Sequence, residues 1–341
     1  MDSLTHIVLG AAIGEGTLGK QAGKKAMFWG AVLATAPDAD VLIGAFMNDL
    51  DKMIFHRGLT HSFFFIAFFS PLYGWFISKI SKAPVNWKQW TLLAFLAQIT
   101  HALLDSLTSY GTQILMPFSS KAVAVSTISV IDPFFTLPLI ITCVILIIKS
   151  NHWKYRQFSA TAGIFVASGY LLFTIFNKYQ VEQRFITQLE NKGVEIVDLD
   201  VKPTLLNNIL WRGIAHSEDG IYHVGYFSTA DGRDIIDFLE IDGNHHLLRN
   251  HMHLISVQRL IWVSNGFFKI EEYNDGFIFN DLRFGRVAEF SGDDSPYAFS
   301  YTLIKDSGAS DLTVERIELQ INRSREGGSI RKLWNRMFGL D

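Results

Sequence analysis

The sequence predicts a multi-span α-helical membrane domain at residues 1–177, followed by a soluble, mainly β (α+β) domain at residues 178–341. Three observations predict it. Every long apolar run lies before about residue 177. Each strong run is close to the ~20 residues a helix needs to cross ~30 Å of hydrocarbon. Beyond them, short stretches alternate apolar and polar residues around Asp-Gly turns, the pattern of β-hairpins.

Five segments are strong: residues 27–48, 62–80, 90–110, 129–148 and 158–176. A sixth, residues 4–18, is short and rich in glycine. It either crosses where the bilayer is thin or covered by protein, or packs as a partial helix, so the domain has five or six spans. Loop charges orient them. Lys20, Lys24 and Lys25, then Lys79, Lys82 and Lys88, then Lys149, Lys154 and Arg156 fall in alternate loops. The intervening loops hold Lys52 and Arg57, then Lys121. By the positive-inside rule the richer loops are cytoplasmic. Residues 49–61, residues 111–128 and everything after residue 177 are then expected on the outer side.

In the tail, "ILWRGIAHSEDGIYHVGYFS" and "FFKIEEYNDGFIFNDLRFG" each read as a hairpin. Residues 312–324 are expected to add a strand, and "SIRKLWNRMFGLD" a short amphipathic helix. The histidine-rich "NHHLLRNHMH", residues 244–253, reads as alternation in a β-rich stretch and is left out of any metal site.

Composition narrows the functional classes. A net charge of -3 gives no basic footprint for nucleic acid. The single cysteine, Cys143, forms no internal disulfide and leaves the compartment open. The start, "MDSLTH", lacks the basic residues of a cleavable signal peptide.

The apolar half nonetheless carries Asp2, His6, Asp38, Asp40, His56, Arg57, His61, His101, Asp105 and Asp132. On the expected topology most of them fall at the outer ends of their spans. Ionisable groups in a bilayer are costly and mark functional sites by default. Asp2 with His6, and His101 with Asp105, are four apart, so each pair shares a helix face. Asp38 and Asp40 cannot both point one way on a regular helix. Pro37 interrupts the span there, which either brings both carboxylates to the site or leaves one behind it. Thr60 reads as a cap for the helix that follows. Imidazole with carboxylate and no thiolate is the ligand set of hydrolytic zinc or manganese sites.

These residues also carry a resemblance. "DSLTH" at 2–6, "PDAD" at 37–40, "HRGLTHS" at 56–62, "HALLDSLTSYGTQILMPFS" at 101–119 and "IDP" at 131–133 resemble the YdjM family of bacterial inner-membrane proteins, which are predicted metal-dependent hydrolases. "LWRGI" at 210–214 and "NDLRFG" at 280–285 are similar to the tail of longer members. The order of histidine and aspartate is more distantly similar to helical zinc-dependent phospholipase C, although a later His-x-x-x-Glu pair is lacking.

The expected function is metal-assisted hydrolysis with zinc, or alternatively manganese, as one or two ions. His6, Asp38, Asp40, His61, His101 and Asp105 are the candidate ligands. His56 is a ligand or an acid/base, Asp40 doubles as a catalytic candidate, and Arg57 is a candidate for holding a phosphate oxygen by paired hydrogen bonds. Ser106, Thr108, Tyr110 and Gln113, with Asp2 and Asp132, are candidates to orient ligands or substrate. The expected partners are membrane lipids and a lipid or other phosphodiester substrate; the sequence leaves a protein partner open. The competing classes are an ion or proton transporter and a non-catalytic, metal-stabilised scaffold.

Overall fold

The computed structural model describes residues 1–232, 234–287, 295–305, 311–318 and 323–340. The chain divides into two compact units, one of residues 1–47, 54–178 and 203–208, the other of residues 48–53, 179–202 and 209–341.

The first unit is helical. Helix α1 (Ser3–Ala22) starts at Asp2, whose carboxylate accepts from Thr5 N at 3.0 Å. It is a full 20-residue helix, longer than the weak signal at 4–18. The signal was weak because this helix is built for close approach. A Cβ at Gly10 would lie 2.4 Å from the Gly30 carbonyl oxygen, and one at Gly14 would lie 2.0 Å from that of Ala26. Small residues let two backbones meet in this way, here α1 against α2 (Lys24–Thr35). The expected span at 27–48 is broken: α2 ends at Thr35, Pro37–Ala39 forms a 3-10 turn, and α3 (Asp40–Gly44) leaves at 50°. Pro37 supplies the break, since it cannot donate to the carbonyl one turn back.

The short helix α4 (Asp49–Phe55) leads to a 3-10 turn at Leu59–His61 and then α5 (Phe63–Ile80). Thr60 does not cap α5; the Ser62 hydroxyl does, accepting from Phe65 N at 3.1 Å. Helix α6 (Trp87–Ser106) opens with a capping box of Asn86 and Gln89. Helix α7 (Pro133–Ile148) begins at Asp132, which accepts from Phe134 N at 2.9 Å.

Among the described residues, two helices are long and apolar enough to cross a membrane, α5 and α8 (Arg156–Asn191), and the bent pair of α2 and Pro37–Gly44 makes a third if it is one span. Helix α7 is apolar but shorter, at 16 residues. Phe64, Phe68, Leu72, Trp75 and Phe76 on α5 and Phe165, Leu172, Phe173 and Phe176 on α8 are exposed, as lipid-facing side chains are. Helix α8 outruns its expected end at residue 176, because Val181, Phe185 and Leu189 continue a buried face. Val181 and Phe185 share a core with Val201, Trp211, Phe227 and Ile236.

The second unit holds two four-stranded sheets, ordered β1-β2-β3-β4 and β5-β6-β7-β8. In the first, β1 (Ile196–Pro203) and β4 (Phe238–Asp242) flank the expected hairpin of β2 (Leu210–Ser217) and β3 (Ile221–Ser228), with Leu210 opposite Ser228. In the second, β5 (Phe268–Tyr273) and β6 (Gly276–Asp281) form the other expected hairpin, followed by β7 (Ser300–Ile304) and β8 (Thr313–Arg316). The strand expected at 312–324 is thus four residues long, and residues 319–322 lie outside the described residues. The stretch 244–253 is not a strand. It forms a 3-10 turn at His245–His251, where the His245 Nε2 approaches the Phe268 carbonyl oxygen at 3.0 Å. Between the sheets in sequence comes α9 (Ile255–Val263), and the last element is α10 (Arg323–Phe338).

Candidate metal centre

The helical unit gathers its polar residues at the break after α2, the turn before α5 and the end of α6. His101 and Asp105, one turn apart on α6, are both buried. The His101 Nδ1 lies 2.6 Å from the Ala34 carbonyl oxygen, which can only accept. Its proton is therefore on Nδ1, and its Nε2 lone pair is bare. His61 is fixed in the same sense by a relay. The Thr60 hydroxyl donates to Asp40 Oδ2 at 2.9 Å, so it accepts from His61 Nδ1 at 3.0 Å. The His61 Nε2 is then bare as well, and it faces the His101 Nε2 at 3.1 Å.

Two carboxylates complete the group. Asp38 Oδ1 lies 3.3 Å from the His61 Nε2 and 3.4 Å from the His101 Nε2. Asp105 Oδ2 lies 3.8 and 3.6 Å from the same two nitrogens. Zinc bonds of 2.0–2.1 Å in a tetrahedron imply ligand separations of about 3.3–3.4 Å. The four donor atoms fit that size. Among the described residues, Asp38, His61, His101 and Asp105 are the one group of this kind.

The broken span sorts the two neighbouring aspartates. Asp38 faces the Nε2 atoms of His61 and His101, whereas Asp40 lies on the other side of the His61 ring, with Oδ2 3.7 Å from its Nδ1. Asp40 Oδ1 lies 2.8 Å from His56 Nδ1, and its Oδ2 accepts from Arg57 N at 3.3 Å besides Thr60. Asp40 thereby shapes the whole 56–61 loop. The side chains of His61, His101 and Asp105 are sealed, while those of Asp38 and His56 are 23% and 35% exposed. The group opens on their side.

The other candidate residues take varied places. His6 lies beside the group: its Nε2 is 3.1 Å from Asp105 Oδ1, and its ring stacks on His101 at 3.7 Å. The Met1 amino group also pairs with Asp105 Oδ1. Arg57 has φ of 61°, a left-handed conformation uncommon outside glycine. Its Nε is 3.1 Å from Asp105 Oδ2, its Nη1 donates to the Thr108 hydroxyl at 3.2 Å, and the guanidinium lies over the Tyr110 ring at 5.6 Å. Gln113 anchors this loop through its Nε2 to the Ile54 carbonyl at 2.8 Å and through its backbone N–H to that of Arg57 at 2.9 Å.

Three candidates are spent on helix ends. The Ser106 hydroxyl donates to the Leu103 carbonyl at 2.7 Å. Asp2 holds Thr5 through both oxygens. Asp132 starts α7 with one oxygen and accepts from the Tyr170 hydroxyl at 2.9 Å with the other.

Two features had no sequence expectation. One is the Thr60 relay. The other is a buried ion pair at the far end of α1, where Arg156 donates to Glu15 through Nε at 2.8 Å and Nη2 at 2.6 Å. Arg156 is a loop charge by sequence, yet its Nη1 also donates to the Leu146 carbonyl at 2.7 Å and the residue is buried. An acidic residue inside an apolar segment was the available signal.

Comparison with known proteins finds relatives of part of the chain. The chain is 34% identical over 141 residues to YfhP of Bacillus subtilis, a match covering 39% of this chain and 42% of that protein. It is 35% identical over 120 residues to the inner membrane protein YbcI of Escherichia coli, covering 35% of this chain and 68% of the relative. No solved structure matches it. The family of YdjM inner membrane proteins matches residues 1–181, the stretch that contains every residue of the candidate centre, and the chain belongs to that family.

Proposed function

We propose that the protein is a membrane-bound, metal-dependent hydrolase acting on a phosphodiester. The observation that carries this reading is the pair of bare imidazole nitrogens of His61 and His101, 3.1 Å apart and joined by two carboxylates. Opposed lone pairs repel, and a cation shared between them turns the repulsion into coordination. Asp38, His61, His101 and Asp105 are the proposed ligands, with zinc favoured by the two-nitrogen, two-oxygen set and manganese second. When bound, the ion supplies Lewis acidity toward the ester and toward the attacking water.

The surrounding residues supply positioning and proton transfer. Asp40 accepts the His56 Nδ1 proton, which leaves the His56 Nε2 as the acid/base at the open side. Thr60, held by Asp40, keeps His61 in the tautomer that presents Nε2, the usual duty of a group behind a ligand. Arg57 holds Asp105 and leaves Nη2 for an anionic oxygen. His6 supports Asp105 from the opposite side. We further propose that the domain is multi-pass in a bacterial inner membrane, with this centre and the β-rich tail facing outward, as the loop charges indicate.

The test is elemental analysis of purified protein, together with hydrolysis of a phosphodiester panel before and after chelation. Zinc or manganese near one equivalent per chain, with turnover lost to chelator and restored by metal, is expected. A metal-loaded protein that turns over nothing sinks the enzyme and leaves a metal-stabilised scaffold.

A further inference from the structure

The chain on either side of the partly exposed Asp38 and His56 is apolar. Asp40, which holds His56, is the first residue of α3, and the residues after it read VLIGAFM. Leu42 is 73% exposed and Phe46 94% exposed, with Val41 and Ile43 exposed beside them. Leu59, between His56 and His61, is exposed too. Past His61, Phe64 meets Phe118 edge to face, with centroids 5.8 Å apart, and both rings are exposed. The partly exposed residues of the centre, Asp38 and His56, are therefore bordered in sequence by large, exposed apolar side chains. In a membrane-spanning domain such side chains face hydrocarbon, and here they flank the centre in sequence.

We infer that the α3 segment, with Leu59, Phe64 and Phe118, holds the hydrocarbon part of an amphiphilic substrate, a bilayer phospholipid whose phosphodiester reaches Asp38 and His56. This rests on the hydrolase reading above and adds the substrate class and the residues that select it. The order of polarity is the argument. A lipid places an anionic phosphate next to its chains, matching a centre of imidazole, guanidinium and metal-ligating groups next to an apolar border. A small water-soluble diester would occupy the centre and leave Leu42 and Phe46 uncovered, gaining nothing from them. Contacts from two such side chains are expected to amount to about tenfold or more in selectivity for the lipid.

The test compares two substrates on the full-length, metal-loaded protein in detergent: dioleoylphosphatidylglycerol in mixed micelles and water-soluble bis(4-nitrophenyl) phosphate. The parent is compared with the double variant Leu42→Ser/Phe46→Ser, whose metal content is checked by elemental analysis. The expected result is that kcat/KM on the phospholipid falls about tenfold or more while that on the soluble diester stays within about twofold. Equal changes on both substrates, or none on either, overturn the inference, and an outer protein partner becomes the occupant to seek. A parent that cleaves only the soluble diester also overturns it but leaves the hydrolase standing. A parent that cleaves neither, though metal-loaded, removes both.

Discussion

The Nε2 atoms of His61 and His101 face each other at 3.1 Å, and the partners of their Nδ1 atoms leave neither with a proton. In the proposed centre a metal ion between these neutral imidazoles relieves their opposed lone pairs. His101→Ala should therefore lower zinc or manganese in the purified protein well below the parent level, and Asp38→Ala should do the same. Asp40→Asn should lower it less, because Asp40 acts on His56 and Thr60. Equal occupancy in the parent and the His101 variant, measured by elemental analysis, would detach this pair from metal binding.

Thr60 offers a sharper separation of roles. Its hydroxyl passes the orientation set by Asp40 to His61, and Thr60→Val keeps the shape while removing the relay. Loss of such outer partners costs about 10–100-fold in metal affinity or activity. Competition with a chelating dye should show that drop in affinity, and Thr60→Ser should restore most of it. An unchanged affinity in Thr60→Val would mean that His61 keeps its tautomer without help.

The sequence made some of this legible and hid the rest for physical reasons. His101 and Asp105 could be paired because helical spacing puts them on one face. Asp38 and Asp40 could not be ranked, since the break at Pro37 removes the periodicity on which such a ranking depends. Thr60 looked like a cap, and only the packed loop shows Ser62 in that role. Helix α1 was underrated because Gly10, Gly14 and their neighbours lower its apolar signal for the same reason that they pack it tightly against α2. The hairpins were readable from their Asp-Gly turns, whereas the histidines at 244–253 form a turn whose irregular backbone no period announces.

Glu15 and Arg156 lie 141 positions apart, so no local pattern could join them. Removing one partner of a buried pair strands the other charge, at a cost of about 3–5 kcal/mol. Glu15→Gln should therefore lower the thermal midpoint of the detergent-solubilised protein, while exposed Lys20→Gln at the same end of α1 leaves it nearly unchanged. Glu15→Leu/Arg156→Leu should recover only part of the loss, because the Leu146 carbonyl also loses its donor. Equal midpoints for the parent and Glu15→Gln would show that the pair carries little stability.

Arg57 separates two accounts of the centre. As a bidentate clamp on a substrate phosphate it would need two neighbouring N–H groups free. Its Nε instead lies against Asp105 and its Nη1 donates to Thr108, so the guanidinium is engaged on the inner side. The left-handed backbone at Arg57 and the Gln113 hydrogen bond to its carbonyl fix the side chain for that inward task. A lysine has one point of charge and cannot reach both Asp105 and Thr108 with the planar fork. Arg57→Lys is therefore expected to weaken metal binding by about tenfold, in the range for outer partners of a ligand, and to lower kcat with it. A clamp confined to substrate predicts the opposite split, with metal affinity intact and KM raised. Metal titration and steady-state kinetics on the same preparation distinguish the two, and unchanged metal affinity with raised KM would return Arg57 to the substrate.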